Sequence, residues 1–433
     1  MSSKTKTTSA LEEIKPALVP KLRFPGFDKP WSYDPLSKIL KEHKIKNTAG
    51  RDVFSVSMEY GIVNQIELLG RSFAASDTSH YTIGRRFDVV YTKSPLKAFP
   101  FGIVKQCKFD GEVALSPLYG VFTPPNPYVG LMIEAYFEAP NRSKEFLSPL
   151  CQKGAKNTLQ ITNTTFLSGR LPLPMEQAEQ QKIAECLSSM DELISAQGRK
   201  VEILKVHKKG LMQRLFPRGG ESQPDFRFPE FQNTGEWERE ELSNCLKKVI
   251  DYRGKAPPKS DSGVPLITAK NVRFGWLDMT NDEYIEESKY EEWMTRGIPQ
   301  AGDILFTTEA PLGNVALFPC SGKFALGQRL LTLRSKTERC LPEFLFHSLL
   351  SPTMQEDIDF HSTGSTAKGI KSSVFVRLSF CYPKNIDEQQ RIADCLTSLD
   401  DLIATQTQKL EALKAHKKGL MQQIFPAPVE VEV

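Results

Sequence analysis

The sequence contains little that points to chemistry of its own. Its 433 residues include only six histidines, dispersed along the chain, and neither a GxSxG nor an HExxH pattern. The nucleophile elbow of an esterase and the paired ligands of a zinc protease are therefore missing. Eight cysteines (Cys107, Cys151, Cys186, Cys245, Cys320, Cys340, Cys381 and Cys395) occur singly, without a CxxC pair or a His/Cys cluster at zinc spacing. Reduced, mostly buried thiols are expected, and no metal. The nearest approach to a phosphate loop, Gly364 to Ser372, fails because Ile370 separates the second glycine from Lys371. No run approaches the roughly 18 to 20 apolar residues of a membrane span, and the first twenty residues lack the apolar centre of a signal peptide. A cytoplasmic location is expected. Net charge is also slight: 56 Lys+Arg against 52 Asp+Glu give +4, so any basic footprint must be local.

What is present is a helix written twice. Residues 179–217 and 388–426 match at 25 of 39 positions with a constant offset of 209, the mark of a tandem duplication. Similar openings precede each unit: Arg23-Phe24-Pro25-Gly26-Phe27 before Trp31, and Arg227-Phe228-Pro229-Glu230-Phe231 before Trp237. The expected segments are a polar, mobile tail over 1–20, a first globule over 21–175, a long helix over 176–217, a linker over 218–226, a second globule over 227–384, a second long helix over 385–426 and a tail over 427–433.

Both helices carry a heptad seam. In the first it runs through Ile183, Leu187, Met190, Ile194, Gln197, Val201, Leu204 and Leu211, and in the second through Ile392, Leu396, Leu399, Ile403, Gln406, Leu410, Leu413 and Leu420. Polar residues interrupt it at equivalent places, Gln197 and Lys208 against Gln406 and Lys417. Such interruptions cost stability but penalise slipped registers. The simplest partner for each helix is the other, antiparallel about a pseudo-two-fold axis, over roughly 57 Å. His207-Lys208-Lys209 and His416-Lys417-Lys418 suit either a phosphate or the C-terminal end of a helix dipole.

The two globules have diverged. Phe87–Thr92 still resembles Gly302–Thr307, and Val113–Leu115 resembles Phe324–Leu326. These short β-branched and aromatic runs between turn residues predict strands, and a helix is expected around Pro342–Leu350. Each globule therefore reads as a mixed α+β domain. Side chains suited to phosphate and base edges cluster in the second: Arg253, Lys255 and Lys259; Lys270, Asn271 and Arg273; Gln328 and Arg329; Ser365, Thr366 and Lys368. The first offers Lys44, Lys46, Arg51, Arg71, Arg85, Arg86, Lys153, Lys156 and Asn157, and residues 41–110 hold 11 Lys+Arg against 7 Asp+Glu.

Globule, EQQ-initiated helix, globule and EQQ-initiated helix together resemble the specificity subunit of type I restriction-modification systems. The resemblance rests most on Arg253-Gly-Lys-Ala-Pro-Pro-Lys259, Pro265–Asn271, Gly302–Val315 with its TEAPLGN stretch, and Ala325–Arg329. The first globule lacks the RGxxPPK and TEAPLGN forms. The resemblance implies two target recognition domains that read the halves of an asymmetric bipartite DNA sequence. It also implies that the paired helices set the spacer and bind two methyltransferase subunits, with two restriction subunits in the full complex. The chain itself would be non-catalytic, and S-adenosylmethionine, ATP and Mg²⁺ would belong to the partners. A competing reading is a coiled-coil scaffold whose globules bind proteins instead of DNA.

Overall fold

The structure is a computed structural model describing residues 18–426 apart from 154–158, 253–255, 281–282, 319–321 and 365–366, with Gln152, Lys153, Leu159 and Gln160 described by backbone alone. The expected tails, up to 17 and from 427, lie outside the described residues. The chain divides into two compact units, Met1–Gln197 with Lys409–Val433, and Gly198–Gln408. The division runs through both long helices, because each globule packs on the start of its own helix and on the end of the other.

In the first unit, β1 (Ser32–Pro35) and α1 (Leu36–Ile39) lead into β2 (Lys41–Glu42), β3 (Val53–Ser57), β4 (Gly61–Asn64), α2 (Gln65–Leu69), β5 (Thr82–Arg85), β6 (Val89–Thr92), β7 (Ile103–Gln106), β8 (Glu112–Leu115) and β9 (Gly120–Thr123). There follow α3 (Pro127–Glu138), α4 (Pro140–Leu147), β10 (Gln152–Lys153), β11 (Leu159–Gln160), α5 (Asn163–Ser168), β12 (Arg170–Leu173) and the 39-residue α6 (Gln177–Leu215). Two four-stranded sheets result, ordered β2-β9-β6-β7 and β4-β3-β8-β5. All neighbours are antiparallel except β3 and β8.

The second unit repeats the first four-stranded sheet and the parallel pair of the second, which differs in its edge strand. Its β13 (Glu238–Glu241), α7 (Leu242–Cys245), β14 (Leu246–Asp251), β15 (Lys259–Ser260), β16 (Val264–Ile267), β17 (Tyr284–Ile285) and α8 (Tyr290–Trp293) precede β18 (Ile304–Thr307), β19 (Val315–Leu317), β20 (Ala325–Leu326) and β21 (Leu330–Ser335). Then come α9 (Pro342–Leu349), α10 (Pro352–Phe360), α11 (Ser372–Phe375), β22 (Ser379–Tyr382) and α12 (Ile386–Ile424). The sheets are β14-β21-β18-β19 and β15-β17-β16-β20, and the parallel pair β16–β20 stands where β3–β8 stood. The turn before β6 and β18 is the same in both. Phe87 (φ 74°) and Gly302 (φ 83°) are left-handed, and the following Asp88 and Asp303 each accept from a backbone amide three residues upstream, at Arg85 and Gln300.

Every expected seam residue is buried or half-buried. In the first unit Ile183 and Leu187 of α6 share a core with Met421 and Ile424 of α12. In the second, Ile392 and Leu396 of α12 share one with Met212 and Leu215 of α6. Within each unit the two helices therefore run antiparallel. Fully burying one such leucine stabilises by about 1.5–3 kcal/mol. The lysines that interrupt the seam are paired across it: Lys417 Nζ lies 2.6 Å from Asp191 and 2.6 Å from Glu138, and Lys208 Nζ lies 2.5 Å from Asp400.

A second reciprocal device holds each helix start. The Glu of each EQQ is buried. Glu179 takes a two-pronged bond from Arg23 at 2.7 and 2.8 Å and another from the Trp31 indole at 3.2 Å. Glu388 takes the same from Arg227 at 2.6 and 2.7 Å and from Trp237 at 3.2 Å. Each tryptophan meets edge-on the phenylalanine ending the other helix, Phe425 at 6.1 Å and Phe216 at 6.4 Å. The duplicated RFP and EQQ motifs, about 150 residues apart, are thus one clamp.

Candidate nucleic-acid interface

In the second unit four loops meet where β16, β18 and β20 end. The parallel pairing of β16 with β20 sends residues 268–279 and 327–329 out of the same end, and the Gly327 amide donates to the Ile267 carbonyl. Thr308 donates its amide to Arg329 O and accepts at its carbonyl from Ile370 N, while Asn314 Nδ2 donates to Val272 O. The 308–314 segment is thereby tied backbone to backbone to 327–329 and to Ile370, and through the Asn314 side chain to the 268–279 turn.

Arg329 is left-handed at φ 62° and 57% exposed along its side chain, with Nε 2.8 Å from Glu309 Oε1. Ala310, next to Glu309, is left-handed too, at φ 48°. A non-glycine residue held there is strained by about 1 kcal/mol or more, and such strain concentrates at binding sites. An exposed ion pair is worth only about 0–1 kcal/mol, so it does not by itself offset the strain. Other cations on these loops are also paired. Lys259 and Lys270 share Glu283 at 2.8 and 3.1 Å, and their bonds, Lys259 first, hold its carboxyl below the usual range. Arg273 binds Asp278 at 3.0 Å, and Lys368 binds Asp359 at 2.6 Å. The face is a set of carboxylate-tethered cations and not a bare basic patch. Beside it opens a cleft of ≈ 440 Å³ lined by Ala310, Pro311, Gln355, Asp359 and Lys368.

Among the expected residues, Gln328 is half-buried beside Arg329. Asn271 corrects the sequence reading. It is fully buried, its Oδ1 accepting from the Thr268 amide and hydroxyl and its Nδ2 donating to Asp278 O. It shapes the 268–278 turn and has no exposed edge for a base. Arg253, Lys255, Ser365 and Thr366 lie outside the described residues. Sequence reasoning passed over Phe274 and Trp276, 55% and 57% exposed on the turn closed by the Val272–Leu277 bridge. Two large aromatics beside a glycine in a polar loop were the available signal.

In the first unit the expected residues do not gather. Arg51 and Arg85 both hold Glu112, at 3.3 and 3.2 Å, and Arg86 holds Asp110 at 3.2 Å, at the start of β8. Lys44 lies 3.4 Å from Glu42 in β2 of the other sheet, and Lys46, bridged to Thr82 opposite the finish of β8, donates to His80 O. Arg71 stacks over Phe73. Lys153 lies in β10, while Lys156 and Asn157 fall outside the described residues.

The model of the type I restriction modification DNA specificity domain matches residues 246–415. This stretch holds all four second-unit loops and most of the second long helix. Residues 246–415 thus carry a type I restriction modification DNA specificity domain, and the chain is similar to type I restriction enzyme specificity subunits. It is 28% identical over 313 residues to a Methanocaldococcus jannaschii protein provisionally named the type I restriction enzyme MjaX specificity subunit, covering 71% of this chain and 69% of that one. It is also 26% identical to the type I restriction enzyme MjaVIII specificity subunit of the same organism, covering 63% and 65%. The alignments thus span about two thirds of either relative. The fold is that of the crystal structure of the type I restriction-modification S subunit from M. genitalium, with TM-score 0.58, 12% identity, and coverage of 95% of this chain and 100% of that one. Two sheet-containing units accompany two long helices, and the expected fold class holds. No helix among the described residues is long and apolar enough to cross a membrane.

Proposed function

We propose that this chain is a specificity subunit that directs a type I restriction-modification complex to an asymmetric, bipartite DNA sequence, each unit reading one half. The observation that carries the reading is the contrast within the duplication. Two units share one four-stranded sheet, one parallel strand pair, one helix clamp and one seam, yet differ in the loops at the ends of their strands. Alike helices suit two copies of one partner, two methyltransferase subunits, while unlike loops suit two different half-sites. The long helices set the spacer between them. The chain acts in the cytoplasm without catalysing a reaction itself. S-adenosylmethionine serves the methyltransferase subunits, and ATP and Mg²⁺ serve two restriction subunits. In the second unit Arg329 reads a base edge, guanine being the base its fork fits best, and Lys259, Lys270, Arg273 and Lys368 take phosphates.

The test is the methylome of a host carrying the methyltransferase subunits with and without this chain. A bipartite methylated-adenine motif is expected only with it. Arg329→Ala is expected to relax one half of that motif, at a cost of about 1–3 kcal/mol in binding. An identical methylation pattern with and without the chain would refute the proposal.

A further inference from the structure

The first unit has no RGxxPPK or TEAPLGN stretch to mark its reading surface, and its arginines misdirect a search by charge. Topology supplies the missing marker. Since β3, β6 and β8 occupy the places of β16, β18 and β20 in chain order, pairing and direction, the loops after them correspond to the loops that carry the second unit's motifs. These loops are residues 58–60, 93–102 and 116–119. They meet as their counterparts do: the parallel pairing of β3 with β8 sends 58–60 and 116–119 out of the same end, and the pairing of Tyr91 in β6 with Gly120 in β9 brings the end of β6 to the loop after β8. Arg51, Arg85 and Arg86 stand at the opposite end. The register makes this unambiguous, with Arg85 opposite Glu112 at the start of β8 and Thr82 opposite Leu115 at its finish.

We propose that the first half of the DNA target is read at this loop end by Tyr60, Leu96 and Leu118, with Lys44, Lys93 and Lys97 on the phosphates. The inference rests on the DNA-reading role proposed above. Tyr60, Leu96 and Leu118 are 63%, 44% and 74% exposed, large apolar groups at loop tips with no packing role to explain them. Apolar contact is how a side chain detects a thymine methyl. Lys44, paired with Glu42 at 3.4 Å, lies close enough to Lys93 to act on its charge. Desolvation, and after the opposing pull of Glu42 the nearby Lys44 charge, hold Lys93 below the ordinary lysine value. By contrast, Arg51 and Arg85 share a single carboxylate at the other end and serve to close the β5–β8 edge.

The experiment compares three sets in the full chain assembled with its methyltransferase subunits: Tyr60→Ala and Leu118→Ala, Lys93→Ala/Lys97→Ala, and Arg85→Ala/Arg86→Ala. The methylated motif is read from the host genome, and binding is measured on a duplex bearing the wild-type motif. The first set is expected to relax one half-motif and leave the other intact, with binding weakened roughly 5- to 150-fold. The lysine pair is expected to lower the salt slope by about 1 per residue without changing the motif, and Lys93→Arg/Lys97→Arg is expected to restore it. The arginine pair is expected to leave the motif unchanged. If the arginine pair relaxes a half-motif while Tyr60→Ala and Leu118→Ala do not, the inference is overturned and the DNA-reading role stands. If Arg329→Ala also fails to alter any motif, the role itself falls with it.

Discussion

Replacing Glu388 by glutamine removes one charge and little volume from the clamp at the start of α12. Arg227 then keeps its guanidinium, 10% exposed, against a neutral side chain where a fully buried carboxylate stood. Breaking a buried pair by removing one partner costs about 3–5 kcal/mol, because the remaining charge is left desolvated. Arg227 retains neutral acceptors in Gly235 O, Thr234 Oγ1 and Gln223 Oε1, which places the expected loss near ~3 kcal/mol. For a unit of this size that is a fall of about 6–12 °C in Tm. Glu179→Gln is expected to cost at least as much, since Arg23 has Lys29 O as its remaining acceptor among the described contacts. Urea denaturation followed by tryptophan fluorescence measures both, with Trp237 and Trp31 as probes whose indoles are bonded to the mutated groups. The double variant Arg227→Met/Glu388→Met is expected to recover much of the loss, because no orphan charge remains. A loss under about 1 kcal/mol in either single variant would refute the reasoning and reduce the clamp to an ordinary surface ion pair.

Three further outcomes follow from the same geometry. Burial alone would raise the Glu138 carboxyl, but Lys417 and Lys105 outweigh it and hold it below the usual 4.5, so its contribution is present above pH 4.5 and lost as pH falls through the depressed value. Lys417→Met is expected to flatten that acid limb in denaturation curves taken from pH 6 to 3, and an unchanged limb would count against it. Burial first, and Lys208 second, press His347 down to about 3. The unfolded chain therefore binds the extra proton below pH 6.5, stability falls from there downward, and His347→Gln is expected to remove that part of the slope. Deleting one heptad from each helix, residues 194–200 and 403–409, shortens them by ~10 Å. At ~3.4 Å per base pair, the spacer of the methylated motif is expected to shorten by about three base pairs, and an unaltered spacer would exclude the helices as its ruler.

The repeat, the seam and the strand-forming runs were legible because they are periodic, and periodicity survives without neighbours. The helix predicted around Pro342–Leu350 appears as Pro342–Leu349, and Val113–Leu115 lies within β8. Single functional side chains were less legible. Asn271 and Arg273 are two residues apart in sequence and equally polar. One is sealed under a turn and the other is exposed, a difference decided by which face of a loop the backbone turns outward.

Sequence by itself therefore determined that the chain is a duplication with two matched helices and two diverged globules, and it located the polar breaks in the seam. Only the tertiary structure decided what meets what. It set Lys417 against Asp191 and Lys208 against Asp400, and joined each RFP opening to an EQQ across more than 150 residues. It also sent the ends of β3, β6 and β8 to one side and Arg51, Arg85 and Arg86 to the other. The physical reason is that a strand's direction and partner come from long-range burial and backbone hydrogen bonding, which two strongly diverged sequences can satisfy equally. What lies at a strand's end is written locally, but which end faces the ligand is not.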